Sequence, residues 1–354
     1  MSTPTQTEMK IVKKFICTII ILTGLALACA GAAGIYWTAD FMNYARRAET
    51  DPDASWETVV DLPSGTGFSE ALGTLASTGV VQDTGRFRLL ARILGYDRRI
   101  QAGEYLFTSA MTPLEILQRL VRGKVRLYGL TIPEGLNLRE IAALVADQGF
   151  GDQQGFLASA MSPEYAEERG IQAASLEGYL FPDTYSFPRG TEVDRIIQAM
   201  LDQFDAVFTP LWAAGRGQMN LSRHEVVTLA SIIEKETGAP EERPRIASVF
   251  HNRLARGMRL QSDPTVIYDA KDYDGNLTRA HLDAPTPYNT YRIAGLPPGP
   301  IASPGRAALE AALFPEETDY LYFVARGDGT HQFSTTLEEH NRAVRRYQLG
   351  GGDR

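Results

Sequence analysis

The chain has 354 residues, a formal net charge of -8 and 44% hydrophobic residues. That length accommodates two or three domains with a sizeable core. The acidic balance, with no clustered Lys/Arg stripe, argues against nucleic acid as a partner, because phosphate neutralisation needs grouped cations. Both cysteines, Cys17 and Cys29, fall in one N-terminal apolar segment. The rest of the chain therefore has no thiol, disulfide or Cys-ligated metal, which suits an oxidising compartment.

The segment Phe15 to Trp37 carries no charge and is long enough to cross a hydrocarbon core of about 30 Å as a helix. Lys10, Lys13 and Lys14 precede it and Asp40 follows, so the positive-inside rule puts the N-terminus in the cytoplasm and the rest of the chain outside. Tyr36 and Trp37 stand where an interfacial aromatic belt would lie. A cleaved signal peptide is the competing reading, with Ala28-Cys29-Ala30 as the small-residue site. The apolar stretch is long for a signal and continues past that site, which favours an uncleaved anchor.

Thr38 to Ser55, with Asp51-Pro52-Asp53, reads as a polar juxtamembrane linker. Beyond it the chain repeats itself. Trp56 to Val60 reads as a strand, followed by Pro63-Ser64-Gly65 and a helix from Ser69 to Ala76. Leu127 to Ile132, Pro133-Glu134-Gly135 and a helix from Leu138 to Ala146 follow the same order. Gly103-Glu104-Tyr105-Leu106-Phe107 is echoed by Glu177-Gly178-Tyr179-Leu180-Phe181, and each is followed by a threonine-led helix, from Thr112 and from Thr191. Two related small α/β units are expected; chance recurrence of common turn chemistry is the alternative.

Ser222 and Glu225 form a Ser-x-x-Glu capping box ahead of an apolar run, and Gly238 and Pro240 stop it, so a helix is predicted from Arg223 to Thr237. Helical spacing separates the two carboxylates at its end. Glu236 lies three after Ile233 and four after Ile232, extending the stripe Val226, Leu229, Ile233. Glu234 falls off that stripe and should face water. A carboxyl against apolar neighbours has a raised pKa, as a general acid near neutral pH requires. The plainer reading is a helix terminus with ordinary surface glutamates.

A second helix is predicted from Arg245 to Arg256, closed by Gly257. The chain then turns irregular to about Pro304, as a site-building loop would. Gln261 and Asp263 follow a buried-looking Met258 and Leu260, and Tyr288-Asn289-Thr290-Tyr291 interleaves aromatics with an amide and a hydroxyl. Sugars offer C–H faces to aromatics and hydroxyls to polar groups, so this mixture suits glycan binding; it also suits an ordinary loop. Gly295-Leu296-Pro297-Pro298-Gly299 forms a stiff wall. A helix from Pro304 to Leu313, a strand Tyr320 to Val324 and a final helix containing His340 complete the chain. No nucleophile elbow, P-loop or zincin motif is present, and the five histidines show no ligand pattern; His331 and His340 read as structural.

Several long motifs together resemble one family: Ala230-Ser231-Ile232-Ile233-Glu234-Lys235-Glu236-Thr237, Ala247-Ser248-Val249-Phe250-His251-Asn252-Arg253-Leu254, Met258-Arg259-Leu260-Gln261-Ser262-Asp263-Pro264-Thr265-Val266, Tyr288-Asn289-Thr290-Tyr291 and Gly295-Leu296-Pro297-Pro298-Gly299. They are similar to the YceG-like endolytic murein transglycosylases. The resemblance spans nearly the whole chain. It implies an inner-membrane anchor, a periplasmic body, action on peptidoglycan glycan strands, coupling to peptidoglycan synthases, and Glu236 as the catalytic acid/base. A looser echo of lysozyme-type soluble lytic transglycosylases places Glu236-Thr237, Leu260-Gln261 and Tyr288-Asn289 in matching order. Here Thr237 stands for a serine, and Thr290-Tyr291 for Ala-Gly.

The expected fold class is α+β, with an N-terminal transmembrane helix, LysM-like small α/β units and a lysozyme-like mixed catalytic domain. The expected organisation is stub and anchor at 1–39, linker at 40–55, α/β units at 56–126 and 127–190, and a catalytic domain at 191–348. Gln261, Asp263, Tyr288, Asn289 and Tyr291 are the candidate substrate-binding or supporting residues, with no metal and no cofactor. A retaining or inverting glycosidase needs two placed carboxyls; a lytic transglycosylase uses the sugar's own C6 hydroxyl and needs one. Two competing readings stay open: a tethered, non-catalytic glycan-binding scaffold, and a hydrolytic muramidase in which Asp263 places a water.

Overall fold

The computed structural model describes residues 6–49, 55–217, 220–270 and 273–349, with the backbone alone for residues 6–14, 16 and 17. The Asp51-Pro52-Asp53 stretch lies outside the described residues. Two compact units divide the chain, residues 1–127 and 128–354.

The first unit begins with α1 (Gln6–Arg46). Its Thr18–Arg46 portion contains an 18-residue window of mean hydropathy 2.1, long and apolar enough to cross a membrane. The sequence places a linker from Thr38, but the helix runs on to Arg46. The cause is packing: Phe41 and Ala45, one turn apart on one face, are both buried in the core of this unit. β1 (Glu57–Leu62), α2 (Phe68–Ser77), α3 (Thr84–Ile93), β2 (Gly103–Thr108) and α4 (Pro113–Val121) follow. β1 and β2 pair antiparallel, Val60 opposite Tyr105, over Phe87, Phe107, Leu117 and Leu120.

The second unit repeats the strand–helix–helix–strand order. β3 (Tyr128–Thr131), α5 (Leu138–Asp147), α6 (Gln153–Ala160) and a short α7 (Pro163–Glu168) lead to β4 (Thr184–Phe187). β4 pairs antiparallel with β3, Tyr128 opposite Phe187. The strand equivalent to β2 is therefore Thr184–Phe187. The Tyr179-Leu180-Phe181 echo of Tyr105-Leu106-Phe107 is not a structural equivalence, because it precedes the strand and points inward as a turn.

α8 (Val193–Gly215), α9 (Arg223–Glu236), a 3₁₀ turn at Pro240–Glu242 and α10 (Arg243–Ala255) come next. The stretch expected to be irregular contains α11 (Asp263–Asp269) and α12 (Arg279–Asp283). α11 is too short to show a periodic pattern, although Pro264 in its first turn is a helix-start signal. α13 (Arg306–Leu313), a β5 (Tyr322–Ala325) and β6 (His331–Ser334) hairpin, and α14 (Leu337–Tyr347) close the unit.

One hydrophobic core runs from β3, α5 and α6 through α8 to α9, α10 and α13. α9 is central to it. Every residue from Val226 to Ile233 is buried, and α10, α11 and α13 all pack on it. A helix apolar on every side must be covered on every side. Its start is the predicted capping box, in which Ser222 Oγ accepts from Glu225 N and Glu225 Oε2 accepts from Ser222 N.

Candidate active site

Glu236 is the last residue of α9, and Thr237 leaves the helix in extended backbone. Its carboxyl is enclosed. Burial pushes its pKa up to about 7; the Ser262 hydroxyl bond pulls it down, Asp263 pushes it up, and Arg253 pulls it down. Ser262 Oγ donates to Glu236 Oε1 in a short hydrogen bond.

Ser262 is itself held rigidly. Its N–H donates to Thr290 Oγ1 at 2.9 Å, and its carbonyl accepts from Thr265 Oγ1 at 2.7 Å. Thr265 and Thr290 hydroxyls meet at 2.8 Å, and all three residues are buried. The buried guanidinium of Arg253 donates to Leu260 O at 2.6 Å and to Leu321 O at 2.7 Å, tying the loop to the β5 side. Gln261 lies in the left-handed region at φ 52 with its side chain exposed. An outlier of this kind on a non-glycine residue persists only where its surroundings impose it, and such residues cluster at working sites.

The loop candidates divide into two groups. Tyr291 OH donates to Asp263 Oδ1 at 2.6 Å, so these two form a clamp beside Glu236. Tyr288 stacks at a tilt on Tyr268, with ring centroids 4.8 Å apart, and its hydroxyl borders Gly299. Asn289 is fully buried and turned inward. Its amide nitrogen serves the carbonyls of His281 (3.2 Å), Leu282 (3.0 Å) and Ala284 (2.8 Å), while its oxygen accepts from Tyr291 N at 3.0 Å. That leaves Asn289 no free polar atom for a sugar; it braces the loop.

Glu234 does not face water. Its side chain is 5% exposed, pairs with Arg243 Nη2 at 2.8 Å and accepts from Gly305 N at 2.9 Å. The one-sided stripe misleads here because α9 is covered all round. Glu134, 3.7 Å from the same guanidinium, has a raised pKa, first through burial and then through Glu234. The histidines have their own partners: His331 Nδ1 meets Glu242 at 2.7 Å, and His340 stacks on Tyr322.

A second enclosed carboxyl, Glu177, escapes sequence reasoning. Burial pushes its pKa up to about 7, partly offset by hydrogen bonds from Leu138 N and Tyr268 OH. Both oxygens accept from Leu138 N at 3.2 Å, and Tyr268 OH donates at 3.0 Å. α11 thus touches Glu236 through its capping residue Ser262 and Glu177 through Tyr268. The only sequence signal was a Tyr-Leu-Phe echo that pointed elsewhere. No group of three or more potential metal ligands occurs among the described residues. A cavity of about 880 Å³ lined by Arg169, Tyr179, Arg223 and His224 lies at the other end of α9, about 18 Å from Glu236 at the helical rise.

An acid with a raised pKa beside a polar and aromatic loop is a candidate general acid–base group. The sequence signature of the YceG-like family matches residues 60–346, and the chain belongs to that family. It is 34% identical over 314 residues to the endolytic murein transglycosylase of Bacillus subtilis strain 168, covering 84% of this chain and 86% of that protein. It is 30% identical to the endolytic murein transglycosylase of Streptococcus pneumoniae serotype 2, covering 94% of this chain but 65% of that protein. The crystal structure of a YceG-like protein from Listeria monocytogenes superposes with a TM-score of 0.55 at 35% identity, over 82% of this chain and 99% of that chain.

Proposed function

We propose that this chain is a membrane-anchored endolytic murein transglycosylase. Its substrate is the β-1,4 bond between N-acetylmuramic acid and N-acetylglucosamine in nascent glycan strands. The observation that carries this reading is the enclosed carboxyl of Glu236, with a pKa near 7, in a family whose relatives carry that name. Glu236 protonates the glycosidic oxygen as the bond breaks. The carboxylate left behind takes the proton of the C6 hydroxyl of N-acetylmuramic acid, which closes onto C1. The product is a 1,6-anhydro end, and no water is consumed. A pKa near the working pH suits both half-steps.

Ser262 sets the direction of the acid's lone pairs. The Asp263–Tyr291 clamp and Tyr288 would line the sugar path, with Gln261 offering its amide to hydroxyls. In this reading the two small units are LysM-like and the helical part lysozyme-like. Residues 56–126 and 127–190 serve as the two small units and residues 191–348 as the catalytic domain, while α1 runs past position 40 into the first unit. The lysines ahead of the apolar helix favour a cytoplasmic N-terminus in the inner membrane with the body in the periplasm, where synthases make the strands.

The test is mass analysis of products from uncrosslinked glycan strands digested by the full chain in detergent. Anhydro ends, lost in Glu236→Gln, support the reading. Reducing ends would make the protein a hydrolytic muramidase, with Asp263 directing water. Strand binding without cleavage would make it a scaffold.

A further inference from the structure

The direction of α3 relative to α1 is fixed by a series of polar contacts. Gln82 N and Asp83 N both donate to Glu49, the latter at 3.3 Å. Tyr44 OH donates to Asp83 O at 3.3 Å, and Arg86 pairs with Asp40 at 2.9 Å. As numbering rises along α3 it falls along α1, so the two helices are antiparallel. α3 therefore runs back toward the apolar part of α1.

From Arg86, α3 continues seven residues to Ile93, about 10 Å at the helical rise. Even at a crossing angle of about 50°, roughly 7 Å of this lies along α1, equal to four or five residues. Counted back from Asp40, the end of α3 reaches the level of Ile35 and Tyr36. Those residues and Trp37 are exposed, as lipid-facing residues at the end of a span would be.

The composition of this tip fits that level. Ile93 is 61% exposed and Leu94 38% exposed, while Gly95, at φ 64, turns the chain away and leaves the pair projecting. Arg92, Arg98 and Arg99 flank them, all exposed. Among the described residues, none of the three makes an ion pair, and the one acid in the turn is the half-buried Asp97. Exposed aliphatic side chains ringed by arginines are the pattern of a surface that enters a headgroup layer.

We propose that the tip of α3, Arg92 to Arg99, dips into the leaflet at the C-terminal end of the α1 span. Ile93 and Leu94 reach the acyl boundary, and the three arginines sit on anionic lipid phosphates. This rests on α1 being a membrane span, and the experiment separates the two claims. The full chain, with Cys17→Ser and Cys29→Ser, is given single cysteines by Leu25→Cys, Thr84→Cys or Ile93→Cys. Each is labelled with an environment-sensitive fluorophore and reconstituted into vesicles of phosphatidylethanolamine and phosphatidylglycerol containing spin-labelled lipids.

The expected result is that the label at 93 loses most of its emission to a shallow quencher, while the label at 84, at the other end of α3, keeps its emission. The label at 25 is quenched by a mid-bilayer probe. Quenching at 25 with none at 93 would overturn the tip and leave the span standing. No quenching at 25 would overturn the span and the tip with it. Adding Arg98→Glu and Arg99→Glu should reduce quenching at 93 in phosphatidylglycerol vesicles and leave it unchanged in phosphatidylcholine; equal loss in both would rule out the phosphate contacts.

Discussion

Ser262 holds Glu236: its hydroxyl donates to the carboxyl oxygen from a backbone fixed by Thr290 and Thr265. That bond favours the ionised acid, whereas burial favours the neutral one, and burial wins. Ser262→Ala should therefore raise the pKa of Glu236 further. The alkaline limb of the kcat/KM profile should move to higher pH, and turnover should fall through lost orientation. An alkaline limb that stays put would show that Ser262 does not act on Glu236.

Glu236→Gln should reduce strand cleavage by about 10²- to 10⁴-fold, the usual range for a general acid–base group. In the wild type, activity should decline as pH rises through about 7, because the acid must carry its proton at bond cleavage. Product release measured across pH on uncrosslinked strands checks both statements.

The same variant should gain stability at alkaline pH. The folded pKa of Glu236, about 7, lies above its ordinary value of 4.5, so between those values the native state binds more protons than the unfolded chain. Stability then falls as pH rises across that window, by on the order of 3 kcal/mol when complete. Glu236→Gln removes this loss. Its Tm should exceed that of the wild type at about pH 8 and approach it at about pH 5. An equal difference at both pH values would contradict the raised pKa.

Glu234 and Arg243 form a buried pair, and breaking one side leaves a charge without compensation. Arg243→Met should cost about 3–5 kcal/mol in urea denaturation. The double variant Glu234→Gln with Arg243→Met should recover part of that loss. If the two losses simply add, the pair is not coupled.

Gln261 is held at φ 52, where a β-carbon is strained. Gln261→Gly should stabilise the fold by about 1 kcal/mol, and Gln261→Ala should not. If the amide contacts the glycan, KM should rise in both variants. Denaturation and steady-state kinetics on the same pair of proteins separate backbone strain from side-chain binding.

How far the sequence carries depends on the range of the interactions. α9 was legible because its cap, its apolar run and its stop are local. Glu236 was legible because one turn of spacing relates it to Ile232 and Ile233. Glu234 was misread because a stripe assumes one covered face, and α13 and α10 cover the others. Glu177 was invisible because its partner Tyr268 stands 91 residues away. Asn289 reads from sequence as either a sugar-binding or a supporting residue, and no local pattern reveals that three carbonyls of a neighbouring turn claim its amide.

Phe41 and Ala45 lie within α1 and within the core of the first unit. A soluble fragment started after Arg46 would therefore leave a trench where two apolar side chains had been, and should expose sticky surface in solution. Cutting instead just after Trp37 retains them. The apolar stretch and the folded unit share a single piece of secondary structure, so the place where the apolar stretch ends is not the place where the folded unit begins.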